Sequence, residues 1–160
     1  MIDEELLKKV STFLKKHKLT IATAESCTGG LIAHTLTNIS GSSDYFDRGV
    51  ISYSNNAKMD LLDVSEELLV KYGAVSSQIA ESMANNVRTK SNVDIGIATT
   101  GIAGPTGGTK DKPVGLVYIA ISTRDAANVM KYNFKGNRLK NKESTCNAAI
   151  KMLIDIIEKT

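Results

Sequence analysis

Twelve residues near the start of the chain, Thr20 to Leu31, read Thr-Ile-Ala-Thr-Ala-Glu-Ser-Cys-Thr-Gly-Gly-Leu. They set a short strand pattern directly against the opening of a helix. Only Ser26, Cys27, Thr28, Gly29 and Gly30 lie between the two. Such a junction belongs to α/β architecture, in which chemistry gathers at the carboxyl ends of strands. Unpaired helix N–H groups at a junction of this kind can hold an anion or an oxyanion. The two glycines allow a ligand close to the backbone. Ser26 is expected to be exposed at the tip of the turn.

The rest of the chain repeats this alternation. Asp3 is placed to cap a first helix whose inner face carries Leu6, Leu7, Val10, Phe13 and Leu14, and the basic run 15–18 suits its C-terminal end. A strand is expected over 20–25 and a helix over 30–37. After the loop Ser40-Gly41-Ser42-Ser43, a strand is expected over 48–53. Ser54 or Asn55, Ser65 and Ser76 are set to cap three helices, with Gly73 as a stop between the last two. The β-branched run 93–100 reads as an interior strand. The runs 114–121 and 129–134 read as an antiparallel hairpin. A last helix is expected from Gly136-Asn137 to about Glu158, with Leu139, Ala148, Ala149, Met152, Leu153, Ile156 and Ile157 facing inward. These elements predict a three-layer α/β/α sandwich around a mixed sheet of about five strands.

One domain over residues 1–160 is expected from the length, and the 42% hydrophobic share suits a packed core. No apolar run is long enough to span a membrane, and the acidic N-terminus does not read as a signal peptide. A reducing cytoplasm is the expected location. Two cysteines, Cys27 and Cys146, and two histidines, His17 and His34, do not make a structural metal site. No metal and no cofactor are expected. The net charge of +3 is scattered and aromatics amount to 5%, so nucleic acid is not an expected partner.

Two stretches concentrate chemistry. In the first, Ser26 reads either as a helix N-cap or as a nucleophile. Neither the Gly-x-Ser-x-Gly nor the Ser-x-x-Lys pattern surrounds it, and no histidine is placed to complete a Ser-His-Asp triad. A base for Ser26 would then be a lysine, tyrosine or carboxylate. Lys58 is the best placed, because the start of a helix and partial burial both lower a lysine pKa. Asp60 and Asp63 are rivals that would instead keep it charged. Cys27 competes as nucleophile, and Glu25 can orient a loop by accepting N–H bonds. The second stretch, Thr99 to Thr109, packs glycines and hydroxyls after a strand, which suits a phosphate or a ribose. Lys110 does not complete a P-loop. Arg138 is able to hold a phosphate bidentately.

Six short motifs occur in order: Ala24 to Gly30, Gly41-Ser42-Ser43, Gly49 to Lys58, Gly73 to Ser76, Thr100 to Pro105, and Lys112 to Gly115. In these the chain resembles the C-terminal domain family of the competence/damage-inducible protein CinA, the nicotinamide-nucleotide amidohydrolases. The resemblance implies metal-free conversion of nicotinamide mononucleotide to nicotinate mononucleotide and ammonia, as in pyridine nucleotide salvage. It implies Ser26 as nucleophile and Lys58 as its basic partner, with Tyr53 and Thr28 assisting. It further implies nucleotide contacts from Glu25, Gly29, Gly30, Ser43, Asn55, Thr100, Gly101, Ile102, Ala103, Gly104 and Arg138. The chain departs from the usual pattern at Asn56, where Glu is common, and at Asn137, where Asp is common before the arginine.

The expected reaction is attack by Ser26 with Lys58 as base, and N–H groups near Thr28–Gly30 holding the oxyanion. A nucleotide-binding or regulatory module without turnover is the alternative. A small-molecule nucleotide is the expected partner, and a homodimer or higher homo-oligomer is the default assembly.

Overall fold

A computed structural model describes residues 1–159; Thr160, the last residue of the expected domain, lies outside the described residues. The elements run α1 (Glu4–His17), β1 (Ile21–Glu25), α2 (Leu31–Leu36), a 3-10 turn (Ser42–Asp44), β2 (Phe46–Ile51), α3 (Asn55–Leu62), α4 (Glu66–Tyr72), α5 (Ser77–Ser91), β3 (Ile95–Gly101), β4 (Leu116–Ser122), β5 (Ala127–Asn133) and α6 (Arg138–Ile157). The sheet order is β2-β1-β3-β4-β5. β1 pairs parallel with both β2 and β3, whereas β3–β4 and β4–β5 are antiparallel. This is the expected mixed five-stranded sheet.

Side-chain alternation along the strands builds two unlike cores. On one face Ile21, Ile95, Ile97, Val117, Ile119 and Ile121 pack against α1, α2 and α6. On the other, Ala22, Ala24, Ala98 and Ala120 meet Ile79, Ala80, Met83 and Val87 of α5. The small side chains let α5 lie close to the sheet. A Cβ on Gly96 would stand 2.3 Å from the Ala84 carbonyl oxygen, so only glycine fits there.

The caps form as their residues predict. Asp3, Ser54, Ser65 and Ser76 accept from the N–H groups of Leu6, Ala57, Leu68 and Ile79. Asn137 does the same for Lys140 at the start of α6.

Two expectations change. Leu139 does not face inward and is 71% exposed. The buried stripe of α6 begins at Asn141, and two residues turn a helix by about 200°, which sends Leu139 to the opposite side. The second strand ends at Ile51, so Tyr53 stands beyond the sheet. Ser52 makes the last tie, its N–H donating to the Glu25 carbonyl at 2.9 Å.

Candidate active site

The carboxyl ends of β1 and β3 and the exit from β2 meet around Ser26. Its N–H donates to the Thr99 carbonyl at 3.0 Å, so the serine backbone is still held by the sheet. α2 begins five residues later, at Leu31, with Gly30 as its N-cap, in the left-handed conformation and without a side-chain cap. Ser26 is not exposed as expected, because its tie to β3 keeps it buried, at 7% exposure, and it is not the cap. That work falls to Glu25, whose carboxylate accepts from Ile32 N–H at 2.9 Å and Ala33 N–H at 3.0 Å. The same carboxylate accepts from the Thr28 hydroxyl at 2.5 Å, and Thr28 Oγ1 lies 2.9 Å from Thr99 Oγ1. Glu25 and Thr28 are each 1% exposed and saturated by one another, by Thr99 and by the α2 backbone.

Lys58 is also 1% exposed, and its setting is the reverse. Its Nζ lies 3.1 Å from Ser26 Oγ, 3.0 Å from the Ser52 carbonyl and 3.4 Å from the Tyr53 carbonyl. Asp63 pairs instead with Lys90, and no carboxylate pairs with Lys58 among the described residues. Burial lowers its pKa below the ordinary 10.5, against a smaller opposing influence from Cys27. Burial thus brings the neutral amine within closer reach than for an exposed lysine. Nζ donates to the two carbonyls, which only accept, and to Ser26 Oγ, and on losing a proton it offers its lone pair to the same hydroxyl.

A cavity of about 200 Å³ opens in front of this pair. Of the expected residues, Ser26, Tyr53, Asn55, Lys58, Thr100, Gly101, Ala103 and Arg138 line it. Arg138 closes one side, with Nη1 donating to the Gly104 carbonyl at 2.7 Å and Nη2 to the Tyr53 hydroxyl at 2.9 Å. No carboxylate pairs with it among the described residues.

The remaining expected residues lie outside the cavity. Glu25 and Thr28 are turned into the network beneath α2. Gly29 is exposed, and its N–H closes a turn onto the Ser26 carbonyl at 3.1 Å, so it is not free to hold an oxyanion. Gly30 is spent on starting α2. Ser43 is exposed in the 3-10 turn. Ile102 extends the ladder to β4, donating to Leu116 and accepting from Gly115. Gly104 contributes its carbonyl to Arg138 only.

Cys27 also lines the cavity, but burial pushes its thiol up to about 12. A thiol so rarely ionised is a poor nucleophile. Ala74 and Val75 complete the wall without having been assigned a role from sequence; their motif, Gly73 to Ser76, is the signal that could have found them. The Thr100 hydroxyl donates to the Ala74 carbonyl at 2.7 Å and holds that wall in place. A larger groove of about 530 Å³ between β5 and α6 contains no serine, threonine or cysteine. Among the described residues, no group of three or more His, Cys, Asp or Glu is placed to hold a metal, and no helix is long and apolar enough to cross a membrane.

Residues 3–157 match the family model for the CinA C-terminal domain. The chain belongs to the CinA C-terminal domain family. It is similar in structure to the competence/damage inducible protein CihA of Agrobacterium tumefaciens, with a TM-score of 0.94, 41% identity and 97% of each chain covered. A CinA superfamily protein of Klebsiella pneumoniae gives a TM-score of 0.94 at 31% identity over 98% of each chain. A CinA-like protein of Syntrophus aciditrophicus is 50% identical over 152 residues, 94% of this chain and 36% of its own length. The chain thus spans about a third of the length of the curated relatives it matches.

Proposed function

We propose that this CinA-family chain is an amidohydrolase that converts nicotinamide mononucleotide to nicotinate mononucleotide and ammonia. The observation that carries the reading is a buried lysine 3.1 Å from a serine hydroxyl, with carbonyls as its other partners and no anion to keep it charged.

Neutral Lys58 takes the proton of Ser26 as Oγ attacks the carboxamide carbon. The Lys58 ammonium so formed is the nearest positive charge to the new oxyanion. The Ile32 and Ala33 N–H groups at the start of α2 do not serve, because the Glu25 carboxylate already accepts from them. Lys58 then returns its proton to the leaving nitrogen, which departs as ammonia. Water enters, gives a proton to Lys58 and attacks the acyl carbon; as the ester bond breaks, Lys58 returns that proton to Ser26 Oγ and nicotinate mononucleotide is released.

The cavity is smaller than the ~300 Å³ at which pockets usually begin to enclose a whole ligand. It suits the pyridine ring and its carboxamide. The ribose phosphate then lies at the mouth, where Arg138 and Tyr53 meet and where the unpaired guanidinium favours an anion. Fixing the phosphate there places the carboxamide for attack, which is where orientation contributes most to rate.

The test is ammonia release from nicotinamide mononucleotide by wild type and by Ser26→Ala, without added metal. The expected result is release by wild type and a loss of about 10³-fold or more in the folded variant. Equal binding of the nucleotide by both proteins with no turnover by either would make the chain a binding module instead.

A further inference from the structure

Asn141 is 1% exposed and uses both ends of its amide. Oδ1 accepts from the Gly136 N–H at 2.9 Å, and Nδ2 donates to the Ala103 carbonyl at 3.0 Å. Gly136 lies two residues before Arg138. Ala103 lies one residue before Gly104, whose carbonyl receives Arg138 Nη1 at 2.7 Å. One buried side chain therefore ties together the two backbone segments that the arginine bridges.

Each partner is an obligate one. A backbone N–H only donates and a carbonyl only accepts, so the site calls for a group that does both at a fixed separation. A carboxylate would meet the Ala103 oxygen with a second acceptor, and an aliphatic side chain would leave the buried Ala103 carbonyl unpaired and release the Gly136 N–H. The next turn of α6 holds the asparagine backbone as well, with the Thr145 hydroxyl donating to the Asn141 carbonyl at 2.7 Å. Ala103 itself lines the cavity, so a shift at this tie moves both the wall and the arginine.

We infer that Asn141 is a positioning residue that sets Arg138 against the 101–105 loop and so fixes where the anionic end of the substrate docks. The inference rests on the amidohydrolase reading for the identity of the substrate, but not for the coupling of Asn141 to Arg138. Loss of the tie weakens substrate binding more than chemistry, because Ser26 and Lys58 are held by other elements.

The experiment compares wild type, Asn141→Leu and Asn141→Asp. The first readout is the rate at which p-hydroxyphenylglyoxal modifies Arg138, followed by peptide mass mapping, with Arg124 as the internal reference. Both variants are expected to raise the Arg138 rate several-fold relative to Arg124. The second readout is steady-state hydrolysis of nicotinamide mononucleotide. KM is expected to rise about tenfold, with kcat within about twofold and an unchanged pH profile. A folded variant whose Arg138 rate matches wild type overturns the coupling. A lowered kcat at unchanged KM overturns the assignment to docking. If wild type itself releases no ammonia, the amidohydrolase reading fails and the modification rates still decide the positioning claim.

Discussion

Glu25 and Lys58 are both charged-type side chains, both 1% exposed, and they flank the same serine. Their surroundings are opposite. The carboxylate has two helix N–H groups and a hydroxyl directed at it, so its charge is answered where it stands. The amine faces two carbonyls and a hydroxyl with no anion, so burial favours its neutral form. Burial alone does not mark a reactive group. What separates the two is what each faces: Glu25 is turned into the network beneath α2, whereas Lys58 meets the Ser26 hydroxyl at the cavity. A carboxylate enclosed by donors holds structure; an amine whose pKa burial lowers, beside a hydroxyl at a cavity, is able to exchange a proton.

The sharpest way to test the contrast is Lys58→Met, which keeps most of the side chain's volume. Activity is expected to fall by about 10³-fold or more in kcat/KM. In wild type, activity rises with pH through the lowered Lys58 pKa, because only the neutral amine accepts the Ser26 proton. Stability carries the same signature. Unfolding returns the lysine to its ordinary value of 10.5. Between the lowered folded value and 10.5 the unfolded chain binds more protons, so stability increases with pH across that window. The burial penalty is complete below the folded pKa and gone above 10.5. Urea unfolding at a series of pH values should show this rise in wild type and not in Lys58→Met. An equal rise in both would assign it to other groups and remove the support for a neutral lysine.

Glu25 should respond the other way. Glu25→Ala strips the partner from two helix N–H groups and one buried hydroxyl, at a cost of about 3 kcal/mol. Glu25→Gln keeps one acceptor and should cost about 1–2 kcal/mol, read by the urea midpoint. Once folded, Glu25→Gln should turn over within about fivefold of wild type. If it folds normally yet loses as much activity as Lys58→Met, the carboxylate takes part in the chemistry and the division between the two residues collapses.

How far this contrast could be read from the chain depends on what kind of atom carries it. The sheet and its caps were legible because they rest on side chains in local patterns: Ser54, Ser65 and Ser76 each stand directly before their helices, and the runs at 93–100 and 114–121 are rich in β-branched and apolar residues, as strands buried on both faces are. Lys58 and Ser26 were singled out by position in such elements. The acceptors around Lys58 were not legible, since the Ser52 and Tyr53 carbonyls are backbone atoms that every residue possesses. Thr28 and Glu25 stand beside Ser26 in the chain, but the direction of a side chain in a tight turn depends on where the next helix starts. Leu139 illustrates the same limit on α6: composition alone does not set which side of the first turn meets the core. Asn141 reads as an ordinary surface residue until Ala103 and Gly136 are seen to converge on it from 38 and 5 residues away.

Cys27 supplies the smallest expected effect and the finest discrimination. It sits next to Ser26, lines the same cavity and is 6% exposed. By proximity alone it has as strong a claim to be the nucleophile. Its thiol, however, is raised to about 12 by burial, with the Thr99 hydroxyl opposing only in part. At neutral pH almost none of it is thiolate. Cys27→Ala should leave kcat/KM within about threefold of wild type and cost about 1 kcal/mol through lost packing. Iodoacetamide should label the native protein at Cys27 far more slowly than the urea-unfolded chain, where the thiol is free to ionise. A folded Cys27→Ala with no activity, beside an active Ser26→Ala, would transfer the nucleophile to the thiol. Lys58 would then act on a neighbour that the present geometry places second.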